Sequence, residues 1–85
     1  MNDEIIEQMR NMIRHFETLV ERHETRTHRD VQLFIEEYKP FIILNGLSYS
    51  TLQEMSVPEQ MMGVSIVTCV CKRIVDMSED ECGND

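Results

Sequence analysis

Hydrophobic positions along the chain recur mostly at steps of three and four, the spacing of one face of an α-helix. Ile5, Ile6, Met9, Met12, Ile13, Phe16, Leu19 and Val20 form the first such series, with Glu7, Arg10, Arg14, Glu17 and Glu21 opposite. This predicts an amphipathic helix of about five turns over residues 3–23. Asn2 or Asp3 can cap it, and its early acids suit the positive end of the helix dipole. Ten residues without an apolar side chain follow, Glu21 to Asp30, and these read as a helix end and a solvated connection.

Thr27 and Asp30 have the spacing of a capping box. Beyond them Val31, Phe34, Ile35, Tyr38, Phe41 and Ile42 repeat the helical stripe as far as Asn45-Gly46. Proline in a helix interior costs about 3 kcal/mol, so Pro40 predicts a kink or break near Tyr38–Pro40. Ser50 with Gln53 and Thr51 with Glu54 carry capping signals for a short helix before residue 56.

The most hydrophobic stretch is Pro58–Met77, containing the run Met61 to Cys71. Its β-branched residues would suit a strand. However, Ser56-Val57-Pro58-Glu59 has the form of a helix start, and the pattern continues for about 30 Å at helical rise. Ser65, Thr68, Lys72 and Asp76 then draw one narrow polar stripe, which predicts a central helix covered on most of its other sides.

These elements give an all-α, single-domain fold over residues 1–77. It consists of three main helices and a short one around the central helix, with an acidic, mobile tail over 78–85. The rival architecture is α+β, with residues 41–44 and 64–70 paired as a two-stranded sheet, a marginal unit alone. A membrane span is not expected, because the apolar run is well short of about twenty residues.

Composition narrows the function more than it identifies it. Sixteen acidic and eight basic side chains give a net charge of −8 over 85 residues. That balance repels nucleic acid and anionic membrane and favours basic surfaces. An acidic start with no signal-peptide pattern and an odd number of cysteines, three, points to reduced thiols and a cytoplasmic setting.

Cys69-x-Cys71 is a poor zinc pair, since helix positions two apart diverge by about 200°. Nothing marks either thiol as activated, and no phosphate-binding glycine loop is present. The chain therefore reads as a non-enzyme without cofactor or metal. The expected function is regulatory or inhibitory binding of a protein partner through helical surfaces, with homodimerisation.

Met9, Met12, Phe16, Val67, Val70 and Ile74 are the candidate core or dimer face. A sharper alternative is acidic mimicry of nucleic acid, with Glu4, Glu7, Glu17, Glu21, Glu36 and Glu37 standing for phosphates before a basic target. A further alternative is nucleic-acid binding through Arg10 to Arg29, a stretch in which acidic residues are interleaved.

Overall fold

The computed structural model describes residues 3–83, with side chains through Glu79. Five helices follow in order: α1 (Asp3–Glu21), α2 (His28–Glu37), α3 (Lys39–Leu44), α4 (Tyr49–Glu54) and α5 (Val57–Gly83). No strand occurs among the described residues, so the α+β alternative fails. Phe41–Leu44 lies in α3 and Val64–Val70 lies inside the 27-residue α5. A helix this long satisfies its interior backbone groups by itself, and the β-branched content does not override that closure.

The helix boundaries have local causes. At the start of α2, the Asp30 N–H donates to the Thr27 hydroxyl at 3.1 Å, and the Thr27 N–H donates to the Asp30 carboxylate at 3.0 Å. The expected second helix is broken into two at Tyr38, which has φ −106° and ψ 25°. Pro40 stands in the first turn of α3, where its missing N–H is harmless. Gly46 ends this segment with φ +81°, a conformation strained for other residues.

The short helix is capped by Ser48, which accepts from the Thr51 N–H, rather than by Ser50 or Thr51. Ser56 and Glu59 meet through their side chains, the hydroxyl donating to the carboxylate at 2.7 Å. α5 runs to Gly83, six residues beyond the expected end at Met77. The capping role expected of Asn2, and the end of the acidic tail at Asn84–Asp85, lie outside the described residues.

α1 and α5 pack antiparallel along most of their length. Arg10 near the start of α1 pairs with Glu79 near the end of α5 at 3.1 Å, whereas Phe16 and Val20 lie beside Pro58 and Met61. α2, α3 and α4 cover one side of this pair, and each of them contacts α5. The core between them holds Met12, Val31, Phe34, Ile35, Ile42, Val64, Val67 and Cys71. α5 is therefore in contact with every other helix.

One buried element is polar. Gln60 is fully buried on α5, and its side-chain amide donates to the carbonyls of Leu52 (3.0 Å) and Gln53 (3.1 Å) at the end of α4. Gln53 in turn donates to the Gln32 carbonyl at 3.1 Å, which ties α4 to α2. Carbonyls at the end of α4 thus take hydrogen bonds from side chains of its neighbours, the Leu52 carbonyl in addition to the Met55 N–H.

Candidate functional site: the open face of α5

The side of α5 that meets the core carries Gln60, Val64, Val67, Cys71 and Val75, at helical steps of three and four. Thr68 is also buried, so the expected polar stripe of Ser65, Thr68, Lys72 and Asp76 is not a solvent stripe along its whole length. The far side holds Met62, Ile66, Val70 and Met77, exposed at 70%, 60%, 37% and 63%. The expectation of a helix enclosed on most sides is corrected here. α5 is buried along one face, and its opposite face is an uncovered apolar stripe.

The overall dimensions explain this. The Cα trace measures 44 × 26 × 17 Å. Two packed helices with axes 8–10 Å apart span about 13–15 Å between their outer Cα atoms. The thinnest dimension therefore holds two layers and no third. Among the described residues, the helices that cover the core face of α5 leave none to cover the other.

The stripe adjoins a shallow groove between α1 and α5. Phe16, Val20, Pro58, Met61, Met62 and Ser65 line one end. Ile13, Phe16, Glu17, Ser65, Cys69 and Lys72 line the next part, sharing Phe16 and Ser65 with the first. Of the candidate apolar residues, Met9, Met12 and Val67 are buried in the core, Phe16 and Ile74 are half-buried against it, and Val70 faces outward. Met62, Ile66 and Met77 belong with Val70. They were legible only from the spacing of Met62, Ile66 and Val70 once the other face was known to be the buried one.

The acidic candidates are all exposed and are divided between two helices. Glu4, Glu7, Glu17 and Glu21 are on α1, and Glu36 and Glu37 are on α2. Glu7 lies 3.5 Å from Arg10 and 3.6 Å from Arg14, so arginines offset its charge locally. Glu36 and Glu37 border a depression with Asp30, His15 and Arg22, a mixed-charge surface.

Part of the basic stretch is engaged within the fold. Arg10 pairs with Glu7 and Glu79, and Arg26 donates to the Leu19 carbonyl at 2.9 Å, at the end of α1.

The titratable groups give no assembled chemistry. His15 lies 3.3 Å from the Tyr38 hydroxyl and edge-on to Phe34, an α1–α2 packing contact. Burial raises the Tyr38 phenol and the Cys71 thiol above their ordinary values, which keeps the thiol protonated and inert at neutral pH. Cys69 is exposed on another side of the helix from Cys71. Among the described residues no three His, Cys, Asp or Glu side chains converge as metal ligands, and no helix is long and apolar enough to cross a membrane. No family model, no characterised protein and no solved structure matches the chain.

Proposed function

We propose that this chain is a non-enzymatic regulatory or inhibitory protein that acts by binding another protein chain through the open face of α5. The observation that carries the reading is the stripe Met62, Ile66, Val70 and Met77, opposite a fully formed core face on the same helix. Single exposed apolar residues are ordinary on protein surfaces, whereas an aligned series over four helical turns offers a partner a continuous contact. Methionines at both ends suit such a role, since their flexible thioether side chains adapt to the facing surface. Assembly as a dimer belongs to the same reading.

The test is a quantitative pull-down from native lysate, with wild type and Ile66→Glu compared side by side. Ile66 is 60% exposed and outside the buried core, so the substitution should leave the helices intact by circular dichroism. Wild type should retain a protein chain in stoichiometric amount, its own or another, and Ile66→Glu should lose it. Retention of no chain by wild type, or equal retention by both, would contradict the proposal.

A further inference from the structure

We infer that the chain held on the open face of α5 is a second copy of this protein, paired antiparallel about a two-fold axis through Ile66. The inference rests on the proposed binding role of this face and deepens it by naming the partner and the register.

The argument comes from the order of residues on the face. Glu59, Met62, Ile66, Val70 and Arg73 lie within about 80° of one another at 100° per residue. Glu59 precedes Ile66 by seven residues and Arg73 follows it by seven; Met62 and Val70 stand four away on either side. The face is thus nearly palindromic in size and polarity, except that its two ends carry opposite charges. In an isologous pair, a residue before the axis meets the residue equally far after it on the other copy. Ile66 then meets Ile66, Met62 meets Val70, and Glu59 meets Arg73 twice, once at each end.

A parallel pairing would set Glu59 against Glu59 and Arg73 against Arg73, four like charges in two unfavourable contacts. Charge complementarity therefore selects the antiparallel arrangement. Both end residues are exposed, and Arg73 makes no ion pair among the described residues. Glu59 holds only the nearby Ser56 hydroxyl. Spacings of three and four residues from Glu59 through Met62 to Ile66, and on through Cys69 to Arg73, are those of helices packed side by side at a shallow angle.

The test is sedimentation equilibrium on wild type, Glu59→Arg, Arg73→Glu and the double exchange, with helix content checked for each. Wild type should sediment at twice 10.1 kDa. Each single reversal puts like charges at both ends and should weaken association by about tenfold or more. The double exchange restores both pairs and should return to within about threefold of wild type. The two single variants, mixed, should form a heterodimer, because each supplies the charge the other lacks.

A dimer indifferent to these reversals, or a double variant no better than the singles, would overturn the inference. A monomeric wild type would overturn it too. If such a monomer still captured another protein that Ile66→Glu lost, the binding role would survive; if it captured nothing, both would fall.

Discussion

At the scale of single residues, two polar contacts decide more than their exposure suggests. Gln60 is the one fully buried side chain of the described core that carries hydrogen-bonding groups, and it holds two carbonyls at the end of α4. Replacing it by leucine keeps the volume but removes two buried hydrogen bonds, leaving the Leu52 carbonyl with the Met55 N–H alone and the Gln53 carbonyl with the Gln32 side-chain amide alone. Stability should fall by about 1–3 kcal/mol in urea titration. Asp30 works at the surface: the Thr27 N–H, and secondarily the Thr27 hydroxyl, hold its carboxyl below its ordinary value. A depressed carboxylate stabilises the fold above its unfolded-state pKa, and that contribution is lost as pH falls through the lower folded-state value. The stability difference between wild type and Asp30→Asn should therefore be constant near neutrality and shrink below about pH 4, the ordinary aspartate range. A difference that grows on acidification would contradict the role of this cap. Thr27→Ala, which removes the other half of the box, should cost about 0.5–2 kcal/mol.

At the scale of elements, the sequence was informative where a backbone rule acts locally and silent where the answer depended on neighbours. The Thr27–Asp30 box, the break at Tyr38–Pro40 and the turn at Gly46 all follow from backbone constraints of particular residues, and all are present. The cap at Ser48 is not distinguishable by pattern, because several hydroxyls in that stretch offer comparable signals. The faces of α5 were harder still. With valine, isoleucine and methionine all around it, periodicity cannot say which apolar residues meet the core, and tertiary contact settled the matter in favour of Val64, Val67, Cys71 and Val75. Gln60 was hidden for the same reason, since a glutamine reads as surface until its carbonyl partners are placed. The two faces should respond differently to truncation. Met12→Ala, opening a void in the core against α5, should destabilise by about 2–5 kcal/mol. Ile66→Ala, measured at high dilution, should stay within about 0.5 kcal/mol of wild type by chemical denaturation.

At the scale of the whole molecule, the described residues build a core two helical layers thick and leave one side of its longest helix without cover. A chain this short buries only about 60–65% of its unfolded surface, so the second copy proposed for the open face would add materially to a thin margin of stability. Mass action then makes stability depend on concentration. The thermal midpoint of wild type should rise as protein concentration increases, and that of Ile66→Glu should not. The net charge of −8 opposes indiscriminate collapse of separate copies, so the proposed association would need a matched surface rather than stickiness alone. The most direct test of the open face is an isotope-filtered NOE experiment on a mixture of labelled and unlabelled chains. Contacts between Met62 methyls of one copy and Val70 methyls of the other, with Ile66 meeting Ile66, are the expected result. No intermolecular signal from α5 at concentrations where the chain is fully folded, with these methyls open to a soluble paramagnetic probe, would contradict the account.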